Sequence, residues 1–147
     1  MEKFSSCQAK KFILTLGIIS FAFQYTWENL QCEPFFNHAP TSFMAVEMFV
    51  AAIIDVGVTF LVYIIVALYS KSWSWVLYKW NAKQWAFILG LGLAFSISFE
   101  FFAKIFRTWS YTGFAPLIPG LEISVIPVLQ FLILFPLSFS LTRYILK

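Results

Sequence analysis

Long apolar runs separated by short polar segments dominate this chain, and they predict its architecture. The runs cover about residues 12–30, 42–69, 85–105 and 123–141. A helix needs about 20 mostly apolar residues to cross the hydrocarbon core of a bilayer. Backbone groups in lipid must find their hydrogen-bond partners within the same segment, which favours helices. The pattern therefore predicts an all-α membrane protein, a bundle of four transmembrane helices in a single domain over residues 1–147.

The composition supports this prediction and excludes several classes of protein. Hydrophobic residues make up 61% of the 147 residues and charged residues only 12%, whereas a soluble domain has about a quarter charged residues. A chain this short could not bury so much apolar surface in a core of its own. The net charge of +3 is modest and falls mainly at helix ends, so no nucleic-acid partner is expected.

The first apolar run is predicted to stay in the membrane as an anchor. A basic start followed by an apolar run is also typical of a signal peptide, and Lys10 and Lys11 precede this one. The run is longer than a signal peptide needs, however, and no small-x-small cleavage site follows it. Trp27 and Glu28 stand there instead, which suits a helix that reaches the far interface.

The distribution of basic residues predicts the orientation. The two tails and the second connection contain Lys3, Lys10, Lys11, Lys71, Lys79, Lys83, Arg143 and Lys147. Of the remaining connections, the first has no basic residue and the third has only Arg107, with Lys104 just before it. By the positive-inside rule, both termini and the second connection lie in the cytoplasm. We therefore expect a multi-pass protein of the cell inner membrane.

Ionisable residues within the predicted spans are the first candidates for function, because each is costly in lipid. Glu47 and Asp55 lie in the second span, and Glu100 and Lys104 in the third. Glu100 and Lys104 are four residues apart and could simply neutralise each other, while Arg107 reaches the headgroups. Glu47 and Asp55 have no basic residue within four positions, which favours a functional role for them.

Polar residues of all four spans are predicted to meet in the outer half of the membrane. Gln24 and Glu28 approach this layer from the first span, Glu47 from the second, Glu100 from the third and Gln130 from the fourth. Polar and small residues also recur every three or four positions, as Gly17, Ser20, Gln24, Glu28 and Gln31, and as Gly92, Ser96, Glu100 and Lys104. Such stripes allow helices to approach closely and to hydrogen-bond with each other.

The connections contain further unusual residues. His38 in the first connection could carry protons, although a lone loop histidine is more often inert. Pro127 predicts either a kink or a partly unwound start of the last helix. The second connection is aromatic, with Trp73, Trp75, Tyr78, Trp80 and Trp85. An amphipathic stretch lying on the membrane explains this run better than a binding site does.

Several of these residues form motifs that resemble a known family. The motifs are Trp27-Glu28-x-x-Gln31-x-x-Pro34, Arg107-x-Trp109-x-Tyr111, Pro116-x-x-Pro119-Gly120 and Pro127-x-x-Gln130. Together with Asp55 and Glu100, they resemble an uncharacterised family of small bacterial inner-membrane proteins with four helices. The resemblance covers most of the chain and implies the four-helix architecture, but it brings no chemistry with it.

A fainter similarity is to membrane bundles of the lycopene cyclase and sterol isomerase type. In those enzymes, carboxyl groups protonate an isoprenoid double bond and aromatic faces stabilise the cation. The similarity implies such roles for Glu47, Asp55 and Glu100, with Trp27 and Trp109 as the aromatic groups. No extended motif of those enzymes aligns with this chain, so their activity is an analogy.

Two hypotheses of function follow from the residues. The first is a site that binds, and could modify, a lipid or an isoprenoid-like molecule, with Glu47 and Glu100 as acid–base groups and Asp55 in support. Its binding residues would be Trp27, Glu28, His38, Lys104, Arg107, Trp109, Tyr111 and Gln130, with Lys104 and Arg107 meeting an anionic headgroup. No metal or cofactor is expected, because neither metal-ligand spacing nor a glycine-rich phosphate loop occurs.

The second hypothesis is an interaction protein without catalytic activity. Here the chain is an accessory subunit whose polar stripes face a larger membrane protein, or a second copy of itself. Ion conduction along Glu28, Glu47 and Asp55 ranks third, because four helices leave little room for a pore. Polar side chains that point into the bundle favour the binding site, and polar side chains on an outer face favour the partner.

Overall fold

The computed structural model describes residues 5–37 and 44–147, and this part of the chain is mostly helical. It contains four α-helices: α1 (Ser6–Phe35), α2 (Met44–Ser70), α3 (Ala82–Phe106) and α4 (Val125–Leu146). A short 3-10 helix, Trp75–Leu77, lies between α2 and α3. Three helices, α2, α3 and α4, are long and apolar enough to cross a membrane. The prediction of a helical membrane protein is confirmed to that extent.

The four helices pack as a ring in which one seam is looser than the others. α1 packs along both α2 and α4, and α3 packs along α4, whereas α2 and α3 contact each other much less. Gly92 allows the close approach of α3 to α4, because a Cβ at this position would lie 3.3 Å from the carbonyl oxygen of Phe131. The ring is therefore tight on three sides and open between α2 and α3.

Two helices begin earlier than their apolar runs predict, because capping residues extend them. α1 begins at Ser6 and not near residue 12: the Ser5 hydroxyl accepts from the Gln8 N–H at 3.3 Å, and the Gln8 side chain accepts from the Ser5 N–H at 3.0 Å. The same reciprocal arrangement joins Asn81 and Gln84 at the start of α3, with both distances 2.9 Å. Such caps satisfy backbone N–H groups that have no partner within the helix.

Pro127 neither kinks nor unwinds α4, which corrects the prediction for this residue. Ser124 caps the helix, its hydroxyl accepting from the Ile126 N–H at 3.2 Å, and α4 begins at Val125. Pro127 is thus the third residue of the first turn, where an N–H would have no partner within the helix. The proline inside α4 is Pro136.

The connection between α2 and α3 closes one end of the bundle, which we call the Trp end (residues 71–81). Trp75 and Trp80 are buried in the core, with 2% and 8% of their surfaces exposed. The Trp75 indole donates to the Tyr63 carbonyl oxygen at 3.2 Å, while Tyr78 and Trp85 are exposed. The aromatic run therefore does not lie as one stretch on a surface, because its largest side chains fill the end of the bundle.

The opposite end, which we call the β end, is held by a two-residue antiparallel pairing. β1 (Phe36–Asn37) follows α1 directly and pairs with β2 (Ser110–Tyr111), with Phe36 opposite Tyr111. Thr112 adds two bonds to the end of α1, from its N–H to the Phe35 carbonyl oxygen at 3.0 Å and from its hydroxyl to that of Pro34 at 2.8 Å. The α3–α4 connection is thereby attached to the end of α1.

Candidate functional site

The side-chain amide of Gln130 is the centre of a buried polar cluster near the β end. Its Nε2 lies 2.9 Å from Gln24 Oε1, 2.7 Å from Glu28 Oε1 and 2.8 Å from Asp55 Oδ2. Gln24, Asp55 and Gln130 are each at most 7% exposed. Three helices, α1, α2 and α4, thus contribute one or more polar groups to a single point, and the group from α2 is Asp55 where the sequence predicts Glu47.

Gln31 extends this cluster along α1. Its Nε2 donates to Gln130 Oε1 at 3.3 Å, and its Oε1 accepts from the Trp27 indole at 3.0 Å. Gln24, Trp27, Glu28 and Gln31 are spaced three or four residues apart, so they share one face of the helix. That face is directed into the bundle, since Gln24 and Gln31 are buried. The polar stripe predicted for the first helix therefore faces other helices.

Glu100 of α3 is buried beside the cluster, with 1% of its surface exposed. Its Oε2 accepts from the Tyr111 hydroxyl and, at 3.3 Å, from the backbone N–H of Ser124. Its Oε1 has no hydrogen-bond partner within residues 5–37 and 44–147. Burial and the neighbouring Glu100 carboxyl raise the pKa of Tyr111 above its usual value. The Tyr111 hydroxyl therefore stays protonated and donates its hydrogen bond to Glu100.

These polar groups line one side of a cavity of about 510 Å³. Its remaining walls are mainly apolar and come from α2, α3, α4 and the β end, including Met48, Ile54, Phe99, Phe102 and Phe131. The volume lies within the range of about 300–1,000 Å³ typical of small-molecule sites. Ile54 and Phe102, on opposite sides of the loose α2–α3 seam, are 54% and 55% exposed. The cavity therefore reaches the outer surface of the bundle through this seam.

Lys104 and Arg107 lie in a second groove at the β end, which is separate from the cavity but shares the wall residues Thr108 and Trp109 with it. This groove, of about 620 Å³, is lined by Asn37, Lys104, Arg107, Thr108, Trp109, Ser110, Tyr111, Leu117 and Glu122. Lys104 Nζ donates to Glu122 Oε2 at 2.6 Å, and this ammonium lowers the pKa of the Glu122 carboxyl. Lys104 therefore pairs with Glu122, which the sequence did not single out, and leaves Glu100 to Tyr111 and Ser124.

The other predicted site residues divide between the cavity and its surroundings. Glu28, Asp55, Glu100, Trp109 and Gln130 line the cavity, and Tyr111 reaches it by binding Glu100. Glu47 lies in the first turn of α2, is exposed and does not line the cavity. Trp27 contributes through Gln31 only. His38 lies outside the described residues.

Several lining residues were not predicted as part of a site. Cys32, Phe36, Met48 and Phe99 contribute apolar surface, and nothing in the sequence distinguishes them from other apolar residues. Ser124 joins the site through its backbone N–H, for which no sequence signal exists. Gln31 could have been included, because it continues the polar stripe of Gln24 and Glu28.

Comparison with known proteins adds no identification. No family model, no curated protein and no solved structure matches this chain. The resemblance to small four-helix inner-membrane proteins therefore stays a prediction. Within the described residues, no three His, Cys, Asp or Glu side chains are grouped in a way that could hold a metal ion.

Proposed function

We propose that this protein binds a lipid or isoprenoid-like molecule in the cavity between its helices. The observation that carries the proposal is the combination of an apolar cavity of about 510 Å³ with the Gln130 cluster and Glu100 on one of its walls. Binding sites for small molecules are usually concave and apolar, with a few convergent polar groups that fix the orientation. An amphipathic molecule satisfies both parts of this cavity at once.

The ligand reaches the cavity from the bilayer in this proposal. The loose α2–α3 seam is bordered by exposed apolar side chains, and α2 and α3 are both apolar enough to cross a membrane. A seam of this kind faces acyl chains, so an apolar tail can remain in lipid while the polar end enters. A water-soluble ligand would have no comparable route through this seam.

We further propose that α1 is the fourth span, although its composition is less apolar than that of the other helices. Its polar residues Ser20, Gln24 and Gln31 are buried, whereas Ile13, Ile18 and Leu30 are exposed. Ser20, Gln24 and Gln31 therefore face other helices and do not meet lipid. A helix with this distribution can stand in a bilayer beside α2 and α4.

The orientation and location belong to the same proposal. The Trp end and both termini lie in the cytoplasm, and the β end lies on the outer side of the cell inner membrane. The uneven distribution of Lys and Arg along the chain supports this arrangement. The cavity is then in the outer half of the bilayer.

Proton transfer to a bound ligand would fall to Glu100, with Asp55 as a second carboxyl in the same cavity. Glu100 has one oxygen held by Tyr111 and Ser124 and the other directed to no protein group in the described chain. Glu47, which the sequence favours as an acid–base group, has no place in this step because it does not line the cavity.

The alternative of an accessory subunit lacks a supporting observation. It depends on polar stripes that face a partner, but Gln24, Glu100 and Gln130 are buried within the bundle. We therefore argue for the binding site alone.

Native mass spectrometry of the protein extracted in mild detergent, with lipid analysis of what stays bound, tests this proposal. We expect one retained apolar molecule per chain. It should be lost in Ala51→Phe, which fills the cavity, and kept in Ile53→Phe, which places the same ring on the outer face of α2. A protein without a retained molecule, or equal retention in both variants, would contradict the proposal.

Labelling of cysteines tests the orientation separately. Native Cys7 is exposed near the start of α1, whereas native Cys32 is 2% exposed and a poor target. An added Gly113→Cys at the exposed β end provides the second site. We expect a membrane-impermeant maleimide to label Gly113→Cys and not Cys7 in intact cells. The reverse pattern would overturn the proposed orientation.

A further inference from the structure

The side-chain nitrogen of Gln130 lies among more hydrogen-bond acceptors than it can serve. Two buried donors nearby, Gln24 Nε2 and Trp109 Nε1, have no partner in the described chain. Gln130 Nε2 carries two hydrogens but lies within 2.9 Å of oxygens from Gln24, Glu28 and Asp55. It can therefore serve at most two of these three acceptors fully. Because Glu28 and Asp55 also line the cavity, the excess of acceptors faces the space where a ligand would lie.

Glu100 adds a second, independent sign of a missing donor. Its Oε2 accepts two hydrogen bonds, while its Oε1 is buried without a partner in the described residues. Glu100 is 1% exposed and lines the same cavity. An unsatisfied buried acceptor is unfavourable, and more so when it is charged. A donor on a bound molecule would offset that cost.

The ionisable residues that line the cavity are all acidic. Glu28, Asp55 and Glu100 line it, and no Lys or Arg of the described chain does. Lys104 is paired with Glu122 in the separate groove. Like charges repel strongly where the dielectric constant is low. A phosphate or carboxylate in this cavity would therefore find no cation among the described lining residues and would be repelled by any carboxyl group that is ionised, whereas an ammonium or a neutral hydroxyl would find acceptors.

We propose that the ligand of this cavity carries a polar end that donates hydrogen bonds and has no negative charge, a hydroxyl or an ammonium group on an apolar chain. Its donor binds Glu100 Oε1 and the oxygens around Gln130, and its chain lies along the apolar walls. This inference rests on the proposed function and narrows its ligand class. It replaces the sequence-based hypothesis that Lys104 and Arg107 hold an anionic headgroup of the same ligand.

The test uses three probes that share one chain and differ at the end: dodecanol, dodecylamine and dodecyl phosphate. The full-length protein in a nonionic detergent is incubated with an equimolar mixture, and bound molecules are quantified by native mass spectrometry. We expect dodecanol or dodecylamine to exceed dodecyl phosphate by about tenfold or more, which corresponds to about 1.4 kcal/mol. The ratio of alcohol to amine shows whether the natural ligand is neutral or cationic.

Substitutions at the cavity wall test whether the selectivity among the three probes arises in the cavity. Glu100→Gln keeps the shape of the side chain and an oxygen for Tyr111, but it removes the carboxylate. We expect Glu100→Gln to lower the bound ratio of dodecanol or dodecylamine to dodecyl phosphate at least about threefold. The matched Glu47→Gln, on the exposed start of α2, should leave this ratio unchanged. The thermal unfolding midpoint of both variants shows that the fold is retained, and Asp55→Asn serves in the same way if Glu100→Gln does not fold.

The outcomes separate this inference from the proposed function. Equal or stronger binding of dodecyl phosphate, blocked by Ala51→Phe, would overturn the inference and leave the cavity as a lipid site. Binding of all three probes that Ala51→Phe does not block would overturn both. Failure to retain any probe would also overturn the inference, since a donor on an apolar chain is all that it requires.

Discussion

The two ends of this bundle are built from the same helices but are filled by opposite means. At the Trp end, aromatic rings occupy the interior: Trp75 lies 5.7 Å from Trp80 and 5.4 Å from Phe139, measured between ring centroids. Near the β end, Gln130 holds oxygens of three other side chains beside a cavity of about 510 Å³.

The difference follows from the directionality of the contacts. Aromatic rings gain energy from any close contact and can fill space in many orientations. Amides and carboxyls gain energy only from partners at hydrogen-bond distance and angle, so they leave space unfilled where no partner stands at that distance. We infer that the Trp end supplies most of the stability of the bundle and that the β end supplies the space for a ligand.

Truncation of Trp75 gives the largest expected effect on this comparison. Trp75→Ala removes a side chain that is 2% exposed and contacts Tyr63, Trp80 and Phe139. We expect the free energy of unfolding, measured in detergent, to fall by about 3–5 kcal/mol. Tyr78→Ala, on the exposed side of the same connection, should change it little. If Trp75→Ala were as stable as Tyr78→Ala, the Trp end would not be the stabilising half.

Loss of the central amide of the polar cluster should have a smaller effect on stability and a complete effect on binding. Gln130→Met keeps the volume but leaves oxygens of Gln24, Glu28 and Asp55 without their donor, at about 1–3 kcal/mol. We expect a lower unfolding midpoint and loss of the retained molecule. The matched variant Leu129→Met, at an exposed neighbour, should change neither. Retention of the ligand by Gln130→Met would show that the cluster does not orient it.

A side chain at Gly92 tests the tight seam against the loose one. Gly92→Val places carbon atoms within 3.3–3.5 Å of Phe131 and Phe135, whereas a Cβ at Gly90 meets nothing within 4 Å. Both variants carry the same change in helix propensity, so their difference isolates the packing between α3 and α4. We expect Gly92→Val to be less stable than Gly90→Val by at least about 1 kcal/mol. Equal unfolding midpoints would mean that α3 and α4 can separate without cost.

The smallest expected effect concerns a buried hydroxyl toward the Trp end. Ser138 is fully buried on α4, and its Oγ has no partner in the described chain. Removing such a group is nearly neutral or slightly stabilising, so Ser138→Ala should lie within about 0.5 kcal/mol of the native protein. Ser20→Ala removes a hydroxyl bonded to the Leu16 carbonyl oxygen at 2.6 Å and should cost more. A marked loss of stability in Ser138→Ala would show that the Trp end requires a polar group at this position.

Periodicity made some of the site predictable. Gln24, Glu28 and Gln31 follow one another at helical spacing, so their shared face could be read from the sequence, and their burial confirms that the face points inward. Glu100 and Gln130 were expected at this layer from their depth along the helices, whereas Glu47 was expected there in the place that Asp55 takes. For the residues that were placed correctly, a rule that depends only on neighbours in sequence was sufficient.

The side-chain direction of Glu47 and the partner of Lys104 could not be predicted from the sequence. Depth along a helix is readable from the sequence, but the direction of a single side chain is set by how the helix is rotated against its neighbours. That rotation leaves Glu47 exposed outside the cavity. Lys104 pairs with Glu122, which lies 18 positions away, and not with Glu100 on the next turn of its own helix.

The sequence by itself determined that the chain is helical with segments apolar enough to cross a membrane, approximately where its helices lie, and which faces are polar, because these properties depend on composition and spacing along one segment. Only the tertiary structure decided that Gln130 collects oxygens from two other helices, that Glu100 keeps one oxygen without a partner, and that α2 and α3 leave a seam. Those features depend on distances between segments remote in sequence, and such distances are set by how the helices pack against each other.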